Sequence, residues 1–152
     1  PGGGCLLTDQ EFSQRLIKMF DYWPEGGGDD IELLKNGRIF WLNAKTEKAL
    51  IVVSRNKEEC ENLEKLAQKG DIMVKLKEIA GPTTLIRMSN VDFRLSNDEL
   101  EIDIPNVLKM SELKLGEEKN NEEILNIAAL LTGYYATKAR GRKMKLELRG
   151  KK

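Results

Sequence analysis

The stretch GGGDDIELLKNGRIFWLNAKTE, residues 26–47, decides the fold prediction, because it joins a glycine run to two short apolar segments. IELL, residues 31–34, predicts a first strand, and the Asn-Gly pair that follows is typical of a tight hairpin turn. RIFWLNAK, residues 38–45, predicts the second strand. KALIVVSR, residues 48–55, is continuously apolar at its centre, which predicts a third strand in the interior of a sheet.

Two amphipathic segments flank these strands. Residues 8–23 place Phe12, Leu16, Phe20 and Trp23 at helical spacing, which predicts a helix with one apolar stripe. Residues 57–69 predict a second helix, and DIMVKLKEI, residues 71–79, a fourth strand. A helix between two strands favours a parallel crossover. The first half of the chain therefore predicts an αβββαβ core with a mixed sheet.

The second half has a different pattern from Gly81 onwards. TTLIRM (83–88), VDFRL (91–95) and LEIDI (100–104) alternate apolar and polar residues, which predicts exposed antiparallel strands. Residues 121–140 predict a long helix, and MKLELR, near the end, a last strand. The fold class expected is α/β (α+β), with a mixed sheet followed by antiparallel strands and a C-terminal helix.

The length of 152 residues favours one domain. We predict a disordered or artificial N-terminus over residues 1–7 and a single domain over 8–137. That domain divides into a core over 8–79 and an elaboration over 80–137. Residues 138–152 form a basic C-terminal segment.

The composition excludes several kinds of chemistry. The chain contains no histidine, which removes Ser-His-Asp and Cys-His nucleophile systems and histidine-based zinc sites. Its two cysteines are far apart in sequence and form no CxxC pair, so we expect reduced thiols. There is no Walker A motif and no GxGxxG after a strand, which argues against a nucleotide-binding domain. No apolar run reaches membrane length, and we expect a cytoplasmic protein without membrane contact.

Charge is unevenly distributed along a chain whose formal net charge is zero. The last fifteen residues hold eight Lys or Arg and one Glu, while acidic residues concentrate between residues 92 and 123. Within the basic segment, Arg140, Arg142, Lys143 and Lys145 are the best candidates for nucleic-acid contact. A solvated tail is the alternative interpretation.

A family resemblance follows from the element order together with Glu11, Asp30, Asn43 and Lys45. The chain resembles the restriction-endonuclease-like nucleases with the PD-(D/E)xK motif, such as archaeal Holliday-junction resolvases. The resemblance implies catalytic roles for Asp30 and Lys45, and Mg²⁺ or Mn²⁺ ligation by Asp30, Asn43 and Glu11. It also implies a homodimer. The motif is degenerate, since Asn43 stands where the family has an acid.

Each of these residues also has a structural explanation. Glu11 is explained by a capping box with Thr8, and Asp30 by a loop after glycines. Asn43 and Lys45 could simply bound the next hairpin.

Two functions remain open. The first is a nucleic-acid-associated protein with a nuclease-like fold, either a metal-dependent phosphodiesterase or a catalytically degenerate relative. The second is a non-enzymatic subunit or adaptor of a replication, repair or transcription complex. Its protein partner would bind the acidic stretch 92–123 and the late helix.

Overall fold

The computed structural model describes residues 10–44, 47–88, 95 and 98–151. Five α-helices and six strands, numbered in chain order, lie within these ranges. The helices are α1 (Gln10–Tyr22), α2 (Gly28–Leu33), α3 (Lys57–Leu66), α4 (Met110–Leu113) and α5 (Asn121–Tyr134). The strands are β1 (Arg38–Asn43), β2 (Lys48–Val53), β3 (Ile72–Leu76), β4 (Thr83–Met88), β5 (Glu99–Asp103) and β6 (Lys143–Gly150). A short 3₁₀ turn, Thr137–Ala139, follows α5.

The six strands form one sheet in the order β1-β2-β4-β3-β6-β5, and every pair of neighbours is antiparallel. The α+β class is confirmed, but the sheet is antiparallel rather than mixed. The strands on either side of α3, β2 and β3, point the same way without being neighbours. The reason is that β4 returns between them and pairs antiparallel with both.

Residues 31–34, predicted to form a strand, lie instead in α2 and at its C-terminal cap. Asp29 and Asp30 occupy the first turn of this helix, where carboxylates interact favourably with the exposed N–H groups. The Asp30 Oδ2 atom accepts a hydrogen bond from the backbone N–H of Gly27 at 3.0 Å. This local capping explains why a four-residue apolar run became helical.

The Asn36-Gly37 turn consequently joins a helix to a strand and not two strands. Asn36 donates its side-chain amide to the carbonyl of Glu32 at 2.8 Å. A Cβ at position 37 would lie 2.4 Å from the carbonyl oxygen of Val53. Gly37 is needed here because the neighbouring strand β2 passes too close for a side chain.

Helices cover both faces of the sheet. On one face, α5 packs against alternate residues of the sheet, including Ile51, Val74 and Leu146. On the other face, α1, α2 and α3 cover the intervening residues, including Leu50 and Met73. β2 is thus buried on both faces, which confirms the interior position expected from its continuous apolar run.

The apolar stripe of α1 differs from its prediction at one position. Phe12 and Met19 are buried, while Phe20 is 42% exposed and Ile17 is 64% exposed. The prediction that Phe20 lies on the buried stripe was wrong, because Met19 and not Phe20 packs toward the sheet. The outer face of α1 therefore carries two large apolar side chains.

β4 is buried over most of its length and does not form the exposed strand predicted for residues 83–88. Its polar residues have hydrogen-bond partners inside the fold, and the alternation of apolar and polar residues could not show this. The hydroxyl of Thr84 lies 2.6 Å from that of Thr132 on α5. The Thr132 hydroxyl also donates to the Ala128 carbonyl at 2.6 Å.

The basic segment 138–152 contributes strand β6, which lies between β3 and β5 in the sheet. Its residues alternate strictly between buried and exposed over most of its length. Met144, Leu146 and Leu148 pack on the α5 side, and the charged residues lie on the opposite, exposed side. The described strands of the second half thus extend the same sheet as those of the first half.

Four predictions lie outside the described residues: the N-terminal segment 1–7, the N-cap at Thr8, Lys45, and the strand over 91–95 apart from Leu95. Among the helices that the structure describes, none has the length and apolar character needed to span a membrane.

Candidate nucleic-acid interface

The residues predicted to bind a metal lie on separate elements. Glu11, on α1, forms an exposed ion pair with Arg15 at 3.0 Å. Asn43, at the end of β1, donates its amide to the Gly116 carbonyl at 2.6 Å and accepts from Lys48. Asp30 lies on α2 and not at the start of a strand, and it faces a different cavity from Asn43.

Asp30 belongs to a buried ion-pair network centred on Arg87 of β4. The Arg87 guanidinium contacts Asp71 at 2.6 Å and Asp30 at 2.9 Å, and it also donates to the Leu66 carbonyl at 3.1 Å. Burial opposes its charge, but the hydrogen bonds and attraction from the two carboxylates outweigh burial and raise the pKa of Arg87. The network fastens α2 to the sheet, and no pattern in the sequence indicates it.

This arrangement does not fit a divalent cation. Asp30 already neutralises Arg87, Glu11 pairs with Arg15, and the Asn43 oxygen accepts from a lysine. Among the described residues, no group of three or more acidic or cysteine side chains is placed to hold a metal ion. Ligation of Mg²⁺ or Mn²⁺ by these residues therefore stays a prediction from the sequence.

The four basic residues predicted to contact nucleic acid divide into two pairs. Lys143 and Lys145 lie opposite Asp103 and Glu101 in the β5–β6 register, and Lys143 lies 3.6 Å from Glu101. Their charges are thus offset by neighbouring carboxylates. Arg140 and Arg142 precede β6, where each donates to a nearby backbone carbonyl.

The exposed face of β3, β5 and β6 mixes both signs of charge throughout. Lys75 pairs with Glu64, and Lys77 pairs with Glu99 across the sheet. A polyanion would meet repulsion from the carboxylates as often as attraction here. This face is a poor candidate for phosphate binding.

A second surface is basic without interspersed acids. An open groove of about 770 Å³ lies between the start of β1, the start of α3, the loop before β4 and the segment after α5. We call it the basic groove. None of the described residues that line it is acidic, and four are basic: Arg38, Arg55, Lys57 and Lys138.

Arg55 differs from the other three cations because a carboxylate holds it. Glu59 forms two hydrogen bonds with the guanidinium, at 3.0 and 2.6 Å, and accepts the backbone N–H of Arg55 at 2.8 Å. The side-chain hydrogen bond lowers the pKa of Glu59 and raises that of Arg55. Within the described part of the chain, no carboxylate forms an ion pair with Arg38, Lys57 or Lys138. Three cations without an ion-pair partner among the described residues thus line one groove.

The first turn of α3 does not account for the basic character of the groove. Its N-cap, Asn56, accepts the backbone N–H of Glu59 at 2.9 Å. The Glu59 carboxylate accepts the backbone N–H of Arg55, so hydrogen bonds within the chain already occupy polar groups at the start of α3. The lysine and arginine side chains supply the attraction for an anion.

Aromatic rings at the end of α5 order two of the nearby arginines. The Arg38 guanidinium carbon lies 4.1 Å from the Tyr135 ring centroid, and that of Arg140 lies 4.1 Å from Tyr134. The two tyrosine rings meet edge to face at 5.6 Å. These cation–π contacts place each guanidinium over a tyrosine ring, and Arg38 and Tyr135 both line the groove.

Sequence reasoning missed the groove because its cations come from separate segments. Arg38 begins a strand, Lys57 follows a helix cap, and Lys138 lies in the 3₁₀ turn. The only local signals were the basic residues near Lys138 and the Tyr134-Tyr135 pair.

No family model and no curated protein matches this chain. A solved structure, the C-terminal part of the fibronectin/fibrinogen-binding protein from Streptococcus suis, is similar to it with a TM-score of 0.47 and 14% sequence identity. The similarity covers 95% of this chain and 55% of that one, so this chain spans about half of the matched structure. At this identity and score, the similarity does not assign a function.

Proposed function

We propose that this chain is a nucleic-acid-binding protein that holds the phosphate backbone in the basic groove. The observation that supports the proposal is the convergence of Arg38, Lys57 and Lys138, which lack carboxylate partners among the described residues, on a groove without acidic lining. Phosphate contacts by lysine and arginine supply most sequence-independent affinity for nucleic acids. The groove includes Lys138 of the basic C-terminal segment but none of the four candidates predicted from the sequence, Arg140, Arg142, Lys143 and Lys145.

The test compares two variants that remove the same charge from different faces. The groove variant carries Lys57→Ala and Lys138→Ala, and the control carries Lys143→Ala and Lys145→Ala on the mixed-charge sheet face. Affinity for a labelled oligonucleotide is measured by fluorescence anisotropy at several salt concentrations. Removing one lysine–phosphate interaction should reduce the steepness of log K against log salt by about 0.7 for a single strand.

We expect the groove variant to bind more weakly with a shallower salt slope, while the control binds like the wild type. Equally weakened binding in both variants would indicate general electrostatic attraction and contradict the groove. Weakened binding in the control alone would assign the interaction to β6.

The phosphodiesterase hypothesis is tested with the same samples in Mg²⁺ or Mn²⁺. Labelled strands are incubated with wild type or Asp30→Asn and separated on denaturing gels. Cleavage that this substitution abolishes would support metal-dependent hydrolysis and contradict a function limited to binding. Thermal unfolding must accompany the assay, because Asp30 also pairs with Arg87.

A non-enzymatic adaptor is the second candidate, and one observation favours it. Ile17 and Phe20 are exposed one turn apart on α1, whereas α5, the helix predicted to carry the partner surface, is largely buried. Ile17→Ser with Phe20→Ser should leave nucleic-acid affinity unchanged. Sedimentation of the wild type and this variant tests whether a second copy covers this face of α1; a monomeric wild type would favour a different protein as the partner of Ile17 and Phe20.

A further inference from the structure

We infer that the basic groove selects single-stranded over double-stranded nucleic acid, with the Arg38–Tyr135 pair as a stacking platform for an unpaired base. This inference rests on the proposed function and adds the class of substrate. The geometry behind it is the placement of a planar cation–aromatic pair inside the groove that holds Lys57 and Lys138.

The two parts of the groove suit the two parts of one nucleotide. Lys57 and Lys138 are exposed and provide mobile charges for phosphate oxygens. Arg38 and Tyr135 are half-buried, and their stacking holds two flat groups in place before any ligand arrives. Bases in single strands stack on aromatic rings and on guanidinium planes, whichever base is present.

A duplex can satisfy only the first of these parts. Its phosphates are accessible, but the faces of its internal bases are covered by neighbouring bases in the stack. Reaching a planar group that lines a concave groove would require a base to leave the helix, and the base would then lose both its stacking and its pairing. A single strand or a frayed end offers a phosphate and a free base face without that cost.

The platform is supported from behind, so stacking would not require rearrangement. Tyr135 contacts Tyr134 edge to face and lies 6.4 Å from Phe40, measured between ring centroids. The adjacent ring of Tyr134 is itself packed against Arg140, whose Nε donates to the Tyr134 carbonyl at 2.7 Å. Tyr135 is therefore fixed in orientation at the end of α5.

The experiment measures the affinity of the intact chain for a short oligouridylate, an oligothymidylate of equal length and a blunt duplex. Wild type is compared with Tyr135→Leu, Tyr135→Phe and Arg38→Lys. Tyr135→Leu keeps an apolar side chain of moderate size but removes the ring. Arg38→Lys keeps the charge but removes the plane, and Tyr135→Phe keeps the ring.

We expect the wild type to prefer either single strand over the duplex. Tyr135→Leu should weaken single-strand binding about tenfold and leave duplex binding nearly unchanged, which is the size of effect expected for one stacked base. Arg38→Lys should reduce the preference without changing the salt slope, and Tyr135→Phe should bind like the wild type. Circular dichroism and thermal unfolding establish that each variant is folded.

Several outcomes would overturn the inference. A duplex that binds as tightly as the single strands, or a preference that survives both Tyr135→Leu and Arg38→Lys, would refute the platform while leaving phosphate binding by the groove intact. Full competition by inorganic phosphate at matched ionic strength would indicate a small-anion site instead. Absence of binding to all three probes would refute the proposed function itself.

Discussion

Replacing Arg87 with methionine should destabilise the fold more than removing any surface charge. Arg87 makes five hydrogen bonds, three to Asp71, one to Asp30 and one to the Leu66 carbonyl. The Asp71 side chain is only 4% exposed, so Arg87→Met leaves a buried carboxylate without its counter-ion. Its remaining described partner is the backbone N–H of Gln68 at 2.8 Å. Breaking a buried pair in this way costs about 3–5 kcal/mol of unfolding free energy.

A second substitution separates the charge effect from the change in packing. In Arg87→Met with Asp71→Asn, the new amide can still accept from Gln68, and the one carboxylate left without Arg87 is that of Asp30, which is 23% exposed. This double variant should recover much of the stability, because neutral replacement of both partners is often tolerated. Asp30→Asn serves as the comparison and should cost only about 1 kcal/mol, since the Asp30 side chain is 23% exposed.

The measurement is urea unfolding followed by circular dichroism and tryptophan fluorescence at neutral pH. Two results would refute the reasoning. One is a destabilisation below about 1 kcal/mol in Arg87→Met, which would equate the network with a surface ion pair. The other is a double variant no more stable than the single one, which would attribute the destabilisation to packing alone.

The remaining predictions concern a helix glycine and a pH-dependent ion pair. Gly133→Ala should lower the unfolding free energy by about 1–3 kcal/mol despite better helix propensity, because the new Cβ would lie 2.2 Å from Ile104 Cδ1. Gly116→Ala is the control in thermal unfolding, because a Cβ at position 116 would have no atom within 4 Å. Glu59→Gln should cost about 1 kcal/mol at pH 7, since Arg55 is partly exposed. The hydrogen bond from Arg55 lowers the pKa of Glu59 in the folded state. The difference in unfolding free energy between wild type and Glu59→Gln is therefore fully present above the unfolded pKa of about 4.3. In urea titrations it should vanish as the pH falls through the folded-state pKa of Glu59. An unchanged difference at pH 3 would contradict the assignment.

Strongly patterned segments were predictable from the sequence because one physical cause decides each of them. β2 is apolar on both faces because helices cover both, and β6 alternates because helices cover only one. The strand predicted for residues 31–34 was wrong because a four-residue apolar run fits a strand or a helix turn equally well. There the capping contact between Asp30 and Gly27 decided the outcome.

The position of β4 was unpredictable for a different reason. Thr83, Thr84 and Arg87 suggested exposure, yet all three are buried. The side chains of Thr84 and Arg87 form internal hydrogen bonds, and the backbone N–H of Thr83 donates to the Ser54 hydroxyl. Their partners lie between 16 and 57 positions away in the sequence. The residue type shows that a side chain is polar, but only the fold shows whether a buried polar group has a hydrogen-bond partner.

Formal neutrality of the chain does not argue against a nucleic-acid site, because charge is segregated on the surface. The sheet face sets lysines against carboxylates, while the groove leaves Arg38, Lys57 and Lys138 uncompensated among the described residues. Two phosphate contacts, from Lys57 and Lys138, predict a salt slope of about −1.4 for a single strand, or about a sevenfold fall in affinity between 50 and 200 mM salt. Under the proposed function, phosphate contacts alone would bind weakly at physiological salt, and the Arg38–Tyr135 platform would contribute most of the affinity there. Stacking depends little on salt, and its share of the affinity should grow as the phosphate contacts weaken.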